Sequence, residues 1–183
     1  MTYHVLYNPH AGNGRGTEAA QKLHALLSDG ELHFYDIAEI GDYGAFFASL
    51  PAGDRVVIAG GDGTLTRFIN DTASLCPGQS IYYFATGSGN DFFTDIGGKT
   101  GDAPRCIDRY LTELPSVYVN GERRYFLNGI GYVIDGYCCL VGDRQRETST
   151  NPVNYTSIAV KGLLFHYKPT SISRLPPLSR WTA

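Results

Sequence analysis

Short apolar runs recur through the first hundred residues, and a stretch with helical spacing follows most of them. Residues Arg55-Val56-Val57-Ile58-Ala59 are β-branched and almost wholly apolar, which is typical of a buried parallel strand. Leu65, Phe68 and Ile69 then recur at helical spacing. By the same reasoning the pattern predicts strands at 3–8, 32–35 and 80–84, and helices at 17–27 and 43–50. Alternating strands and helices predict right-handed crossovers and a parallel sheet.

The pattern changes after the first hundred residues. Asp102 and Pro104 are expected to open a helix with Ile107, Tyr110, Leu111 and Leu114 on one side. Residues 117–119, the turn Asn120-Gly121 and residues 124–127 read as a β-hairpin, and residues 155–165 as a helix. We therefore predict an α/β domain over residues 1–114 and part of a β-rich second domain, with an irregular tail, over residues 115–183.

Glycine clusters directly follow the predicted strands. Gly60-Gly61-Asp62-Gly63-Thr64 connects the central strand to its helix. Three glycines in four residues should allow positive φ angles and close approach of a ligand, and the helix that follows should offer unpaired N–H groups to a phosphate. Asp62 would repel a phosphate unless a cation or a hydroxyl lies between them. The alternative is an ordinary turn in which Asp62 caps its own helix.

Composition excludes several classes of protein. Of the 183 residues, 43% are hydrophobic and 18% are charged, which marks a folded globular chain rather than a disordered one. The formal net charge of −3 and the scattered Lys and Arg residues argue against a nucleic-acid partner. The N-terminus has no signal-peptide pattern and no apolar run approaches membrane-spanning length, so we expect a cytoplasmic protein.

Cysteine and histidine spacing indicates neither a metal site nor a disulfide framework. The four cysteines are expected to fill the core, and no zinc site is predicted. They are Cys76, Cys106, Cys138 and Cys139.

A loop rich in glycine also follows the first strand. It runs from Asn8 to Gly16, where open α/β sheets bind ligands. Gly14-x-Gly16-x-x-Ala19, with Asp36 at the end of the second strand, also fits a dinucleotide fingerprint. A Rossmann NAD(P)-dependent oxidoreductase is therefore an alternative, although the first glycine of that fingerprint should turn directly off the strand.

A third loop follows residues 80–84 and reads Ala85-Thr86-Gly87-Ser88-Gly89-Asn90-Asp91-Phe92, with Asn90 as the expected helix cap. Together the three loops resemble the diacylglycerol kinase catalytic domain family, which includes bacterial lipid kinases and sphingoid-base kinases and is related to the NAD kinases. Gly60 to Thr64 resembles its central motif. Asn8-Pro9 followed by Ala11-Gly12 resembles its first motif, and Gly87 to Phe92 resembles its Gly-Thr-x-Asn-Asp-Phe motif, with Ser88 in place of Thr.

The resemblance implies an N-terminal α/β domain like that of NAD kinases and diacylglycerol kinases, with a parallel sheet and helices on both faces. It implies an ATP-dependent lipid kinase that uses Mg²⁺ and transfers the γ-phosphoryl group to a lipid alcohol. Transient contact with a membrane surface, a homodimer, and a nucleotide-binding fragment without turnover stay open. The nucleotide-site residues that it implies are Asn8, Pro9, Ala11, Gly12, Gly60, Gly61, Asp62, Gly63, Thr64 and Ser88.

The likeness to the family is weaker in two places. Thr66-Arg67 stands where many relatives carry Asn-Glu. After Ser173 the tail contains Pro176-Pro177, which cannot belong to an interior strand. We therefore expect the catalytic domain to be incomplete here, with the general base of the family later than residue 183.

Overall fold

A computed structural model of the chain describes residues 1–129, 134–148 and 153–166. The chain divides into two compact units, Met1–Gly129 and Ile130–Ala183. The predicted tail after Ser173 lies outside the described residues. The domain boundary expected after residue 114 stays a prediction.

The first unit is built on a five-stranded sheet in the order β2-β1-β3-β4-β5. Four strands are parallel and β5 pairs antiparallel with β4. The predicted α/β class is therefore confirmed, with a sheet that is mostly rather than wholly parallel. The strands are β1 (Thr2–Tyr7), β2 (Glu31–Asp36), β3 (Arg55–Gly60), β4 (Ser80–Ala85) and β5 (Arg105–Cys106).

Helices cover both faces of this sheet, as expected for alternating β and α elements. In the first unit they are α1 (Ala11–Gly14), α2 (Gly16–Gln21), α3 (Leu23–Leu26), α4 (Tyr43–Ser49), α5 (Asp62–Thr72), α6 (Asp91–Asp95) and α7 (Asp108–Leu111). Helices α4 to α6 pack on one face, where Phe68, Ile58 and Tyr83 belong to one buried cluster. Ala20 and Leu23 of α2 and α3 belong to a second cluster on the opposite face.

The strand order fixes where a ligand site should lie. From β1 the chain proceeds to β2 on one side, and β3 and β4 lie on the other side. This reversal is the topological switch point of a doubly wound sheet, where ligands bind beyond the carboxyl ends of the strands. Strands β1 and β3 flank the switch point, so the loops after Tyr7 and Gly60 both open onto it.

Two predicted helices differ from those observed. The helix expected over 17–27 is divided at Lys22, whose backbone N–H donates to the Ala19 carbonyl at 3.2 Å. That bond tightens the helix and breaks the 3.6-residue period, which leaves Leu26 exposed.

The second difference lies between Asp102 and Leu114. Arg105–Cys106 pairs with β4, and α7 begins only at Asp108. The Asp108 carboxylate accepts a hydrogen bond from the Ile81 backbone N–H at 2.7 Å. Residues 105–106 therefore pair with the free backbone groups at the edge of β4, instead of forming the first turn of the predicted helix.

The predicted hairpin is present as β6 (Ser116–Val119) and β7 (Glu122–Tyr125), and it lies within the first compact unit. Asn120 and Gly121 have φ angles of 54° and 86°, as the Asn-Gly turn predicts. Asn70 of α5 holds the hairpin through two bonds of 2.9 Å to the backbone of Tyr125.

The described residues of the second unit form α8 (Ile134–Thr148), α9 (Tyr155–Lys161) and a π-helical turn (Gly162–His166). The helix predicted over 155–165 corresponds to α9 and that turn. The sequence reasoning made no prediction for α8.

The expectation that the cysteines fill the core is wrong. Cys76, Cys106 and Cys139 are exposed, and Cys138 is half-buried. Cys76 lies in the segment after α5, and Cys106 lies on the short edge strand β5.

Candidate functional site

Three loops meet at the carboxyl edge of the sheet. We call them the first loop (residues 8–16, after β1), the second loop (60–64, after β3) and the third loop (85–90, after β4). Parallel strands all end at the same edge, so loops far apart in sequence become neighbours in space.

A side-chain bond joins the first loop to the second. Asn8 Nδ2 donates to Thr64 Oγ1 at 2.8 Å, and Asn8 Oδ1 accepts from the His10 backbone N–H at 2.9 Å. The Asn8 backbone N–H continues the ladder to Ala59 at 3.0 Å. Asn8 therefore orients the first loop and the start of α5 together.

Close backbone contact joins the third loop to both of the others. A Cβ atom on Gly87 would lie 2.5 Å from Gly61 Cα, and one on Gly12 would lie 2.7 Å from the Thr86 carbonyl oxygen. The Thr86 backbone N–H also donates to the Gly60 carbonyl at 2.8 Å. Side chains at these glycines would push the loops apart.

The expected positive φ angles in the second loop are wrong. Gly61 has a φ of −96°, and Gly60, Gly61 and Gly63 are not among the left-handed residues of the described chain. A Cβ on Gly61 would lie 3.1 Å from Gly87 Cα, so glycine suits this position because the third loop passes close to it and not because of its own conformation.

Asp62 caps a helix, but not its own. Its Oδ2 accepts from the Asp91 backbone N–H at 2.9 Å, and its Oδ1 accepts from the Phe92 backbone N–H at 3.1 Å. Both donors belong to the first turn of α6, which leaves such groups unpaired. The carboxylate of the second loop therefore stabilises the helix of the third, which neither reading of the sequence predicted.

Asn90 occupies the N-cap position of α6 as expected, yet its side chain does not cap that helix. Its Oδ1 accepts from the Gly87 N–H and its Nδ2 donates to the Gly87 carbonyl, both at 2.9 Å. The residue is buried and has a φ of 59°. Asn tolerates this left-handed conformation better than most residues, so it closes the third loop on itself.

The Tyr83 hydroxyl lies under the second loop and donates to the Gly60 carbonyl at 3.2 Å. Burial raises the pKa of Tyr83 far above its ordinary value, and the negative charge of Asp62 raises it further. The hydroxyl therefore stays protonated and keeps its bond to the loop.

A cleft of about 270 Å³ opens beside the first and second loops on the face covered by α4 and α5. We call it the apolar cleft, since Ile37, Ile40 and Tyr43 are in its wall, with Asn8 and Thr64 at its end next to the loops. Arg67 and Asp71 also line it, and their side chains approach to 3.6 Å. Burial, followed by the charge of Asp71, raises the pKa of Tyr43 to about 12.

A second cleft, of about 280 Å³, opens on the face covered by α2 and α3. We call it the cationic cleft. It is bounded by the first loop, the start of α2 and the third loop, and Arg15, Lys22 and Glu18 are its charged residues. The Thr86 hydroxyl oxygen beside it is buried and has no hydrogen-bond partner.

The structure brings the ten predicted site residues together at the three loops. Ala11 of the first loop is buried, whereas Gly63 of the second loop and Ser88 of the third are exposed. Sequence reasoning did not select Thr86, which is in the third loop, or Asp91, which directly follows that loop, as site residues. A Cβ on Gly89 would lie 3.5 Å from Asp62 Oδ2 and 3.8 Å from Asp91 Oδ1, so two carboxylates converge there.

The glycines of the dinucleotide fingerprint have a different role. A Cβ on Gly16 would lie 1.9 Å from the Asn8 carbonyl oxygen, so Gly16 is required for packing within the first loop. Asp36 accepts from the Ala38 backbone N–H at 2.9 Å and caps a short 3-10 turn, Ile37–Glu39. The strand order also differs from the 3-2-1-4 order of NAD-binding Rossmann folds. These observations argue against the oxidoreductase alternative.

The described residues contain no cluster of three or more His, Cys, Asp or Glu side chains suited to a metal ion. Likewise, none of the described helices combines the length and the apolar character needed to cross a membrane.

The fold and the loops define a doubly wound α/β protein in which three loops meet at the switch point of the sheet. The family model described as the diacylglycerol kinase catalytic domain matches residues 2–117. That match covers more than half of the chain, which therefore belongs to the diacylglycerol kinase catalytic domain family.

A diacylglycerol kinase of Bacillus subtilis (strain 168) is 26% identical to the chain over 135 residues. The alignment covers 69% of this chain and 44% of the relative, so the chain spans less than half the length of that protein. No solved structure matches the chain.

Proposed function

We propose that this chain is the nucleotide-binding part of a lipid kinase that transfers the γ-phosphoryl group of ATP to a lipid hydroxyl. Membership of the diacylglycerol kinase catalytic domain family supports the reaction class. The observation that carries the proposal is the joining of three glycine-rich loops into one surface at the switch point of the sheet. The bond from Asn8 to Thr64 and the bonds from Asp62 to α6 hold that surface.

Phosphoryl transfer needs a surface of this kind, because catalysis depends on positioning and on neutralising charge. The glycines of the second and third loops leave the backbone bare where phosphates would approach. The buried Thr86 hydroxyl lacks a partner, and Ser88 is exposed at the same rim. The residues present therefore fit a triphosphate, with Gly60 to Thr64 and Ser88 as its proposed contacts.

The apolar cleft is the proposed place for the base. Ile37, Ile40 and Tyr43 offer a wall on which a planar ring can pack, and Asn8 and Thr64 connect that wall to the loops. Arg67 puts a cation at the rim of this cleft, where many relatives carry an acid. Contacts to the edge of the base are therefore proposed to differ from those of such relatives.

Asp62 and Asp91 are the proposed residues for Mg²⁺. Each oxygen of Asp62 accepts one backbone N–H, and an ionised carboxylate has about four acceptor sites, so capacity for a cation is left. Two carboxylates that converge at Gly89 suit Mg²⁺, which usually takes one or two carboxylates together with phosphate oxygens. When bound, the ion would neutralise phosphate charge.

The acceptor is proposed to be a lipid alcohol, in line with the family and with the name of the Bacillus subtilis relative. No general base is assigned among the described residues. The role of these residues is therefore to bind the nucleotide and to orient its phosphates.

Thermal unfolding with different nucleotides tests the nucleotide part of the proposal. ATP with Mg²⁺ at about a hundred times its dissociation constant should stabilise the chain by roughly 2.7 kcal/mol, and NADH should not. Ser88→Ala should reduce this protection without changing the melting temperature of the free protein. Ser28→Ala, at an exposed turn residue away from the loops, is the matched control. Protection by NADH and not by ATP would overturn the proposal.

A transfer assay tests the reaction. The chain is incubated with γ-labelled ATP and a lipid extract, and a parallel sample contains NAD as the acceptor. Label in an organic-phase lipid product supports a lipid kinase, whereas label in NADP supports an NAD kinase instead. ATP binding without a labelled product in either sample would support a nucleotide-binding part that does not itself turn over.

A further inference from the structure

A third cleft lies at the edge of the sheet opposite the three loops. Its volume is about 510 Å³, nearly twice that of the apolar cleft and within the range of small-molecule sites. Ser80 and Ile81, which line it, are the first residues of β4, and Thr72 is the last residue of α5. We call it the amino-edge cleft, because the parallel strands begin at this edge and end at the loops. It therefore lies outside the proposed nucleotide site.

The walls of the amino-edge cleft are mainly apolar and come from several elements. Phe68 and Ile69 belong to α5, Ile81 belongs to β4, and Leu111 belongs to α7, with Leu114 after it. The first three are buried members of one hydrophobic cluster, and the two leucines pack against that cluster. The cleft is therefore a recess in the core, where an apolar ligand body would leave water.

Gln79 fixes the segment that closes one side of the cleft. Its side chain is buried, and Nε2 donates to the carbonyls of Leu50 at 2.8 Å, Pro51 at 3.2 Å and Phe47 at 3.3 Å. These bonds tie residues 75–79, all of which line the cleft, to the end of α4 and the turn after it. The recess is therefore preformed in the folded chain.

Three polar side chains at this cleft already use their donors within the protein. Thr72 Oγ1 donates to the Phe68 carbonyl at 2.7 Å, and Thr112 Oγ1 donates to the Arg109 carbonyl at 3.1 Å. The third is the Gln79 amide, whose N–H groups bond to the end of α4. Each threonine oxygen can still accept a hydrogen bond. These threonines therefore offer a ligand acceptors rather than donors.

Asp108 is the charged residue among the described residues that line the cleft. Its Oδ1 accepts from the Ile81 backbone N–H at 2.7 Å, and the Cys106 thiol also hydrogen-bonds to its side chain. An ionised carboxylate has about four acceptor sites, so capacity is left for a ligand. Asp108 is half-buried, and within the described part of the chain it forms no ion pair. An apolar recess with such a carboxylate suits a ligand that brings positive charge and N–H donors.

We infer that the amino-edge cleft binds an apolar amine, a small molecule whose alkyl or ring body packs on Phe68, Ile69 and Leu111 and whose ammonium group donates to Asp108. A hydrogen bond between an ammonium group and a carboxylate is charge-assisted, so it supplies affinity and also selects the head group. This inference does not rest on the proposed function, because the cleft and the loops lie at opposite edges of the sheet.

Isothermal titration of three alkyl probes into the full chain tests the choice of head group. The probes are n-octylamine, 1-octanol and octanoate, which share the length of their chain and differ in charge. The amine should bind about tenfold or more tightly than the alcohol, and octanoate should bind most weakly. Equal affinities for the amine and the alcohol, tighter binding of octanoate, or no binding of n-octylamine would overturn the inference.

A charge variant tests the role of Asp108. Asp108→Asn keeps an acceptor for the Ile81 N–H and removes the negative charge, so n-octylamine should bind about as weakly as 1-octanol, whose affinity should not change. Glu113→Gln, at an exposed acid outside the lining of the cleft, is the matched control and should alter neither affinity. Unchanged melting temperatures would show that both variants fold. Equal losses in the two variants, or none in Asp108→Asn, would contradict the inference.

A second pair of variants tests whether the probes enter this cleft. Ala73→Phe places a ring in its lining, whereas Ser74→Phe places the same ring on a neighbouring exposed residue outside that lining. Ala73→Phe alone should weaken the binding of both n-octylamine and 1-octanol. Undiminished binding to Ala73→Phe would locate the probes elsewhere and would overturn the inference.

Titration with ATP separates this inference from the proposed function. ATP should bind equally to the wild type and to all four variants, because none of these residues belongs to the three loops. If ATP fails to bind the wild type while n-octylamine binds and is lost in Asp108→Asn, the proposed function fails and the amine site stands. If ATP binds and n-octylamine does not, the amine site is wrong and the proposed function stands.

Discussion

The second and third loops look alike in sequence, since each joins a buried strand to a helix through glycines, yet they are held in opposite ways. In the second loop Gly61 has an ordinary φ, and Asp62 directs its carboxylate away to another helix. In the third loop Asn90 has a left-handed φ, and its side chain bonds back to Gly87 of the same loop. A side chain of the third loop therefore holds that loop, and the carboxylate of the second loop caps the helix that follows the third.

This difference shows that the two loops are one structural unit. Gly61 and Gly87 are in close contact, so neither loop can move without the other. Removing the second loop would leave the first turn of α6 without its carboxylate cap. A phosphate bound across these loops would therefore contact a surface fixed by groups about thirty residues apart in sequence.

The largest effect is expected where the two loops touch. Gly87→Val should destabilise the protein by about 3 kcal/mol, because overpacking that forces backbone shifts costs up to this much. Gly63→Ala, in the first turn of α5 with open space around it, should instead stabilise the protein by about 0.5 kcal/mol. Urea unfolding of both variants measures the contrast. Equal effects would mean that the contact between the loops does not decide where glycine is needed.

Asn90 should come next. Asn90→Ala removes two partly buried hydrogen bonds and places Ala in a left-handed conformation, at an expected cost of about 2 kcal/mol. Asn90→Gly loses the same bonds without the conformational strain, so it should cost about 1 kcal/mol less than the Ala variant. Chemical denaturation of the pair gives that difference. A Gly variant as unstable as the Ala variant would show that φ at this position carries no strain.

Asp62 should have a smaller effect on stability, felt mainly in α6. Asp62→Ala should cost about 1.5 kcal/mol through the loss of its helix cap, and Asp62→Asn about half as much. Hydrogen exchange should become faster at the backbone amides of Asp91 and Phe92. Asp91→Ala is the control, because it removes a neighbouring carboxylate and leaves the cap in place. Faster exchange in the control alone would contradict the role assigned to Asp62.

The smallest effect concerns the wall of the apolar cleft rather than the loops. The pKa of Tyr43 is raised from 10.0 to about 12, so the folded protein keeps this proton between those values while the unfolded chain loses it. The contribution of Tyr43 to stability should be complete below about pH 10 and should be lost as the pH rises towards 12. Absorbance titration at the tyrosinate band, wild type minus Tyr43→Phe, measures this step. A midpoint at the ordinary tyrosine value would show that neither burial nor Asp71 affects Tyr43.

The sequence by itself determined much of the first unit, because local patterns carry that information. Apolar β-branched runs such as residues 55–59 specify buried strands, and Asn120-Gly121 specifies a hairpin turn with positive φ angles. The three loops could also be predicted from the sequence, since glycine clusters at strand ends are local features. Their convergence followed from the expectation of a parallel sheet.

Only the tertiary structure decided how those loops are held. Whether Asp62 caps its own helix or another depends on which N–H groups come within hydrogen-bonding distance of it, and the groups that do are about thirty residues away. Gly61 was expected to adopt a positive φ, but glycine suits this position because Gly87 lies close to it, which no local pattern around Gly61 reveals. Arg105–Cys106 joined the sheet rather than a helix because β4 offered it unpaired backbone groups. In each case a contact distant in sequence supplied more free energy than the local preference, and such contacts exist only once the chain has folded.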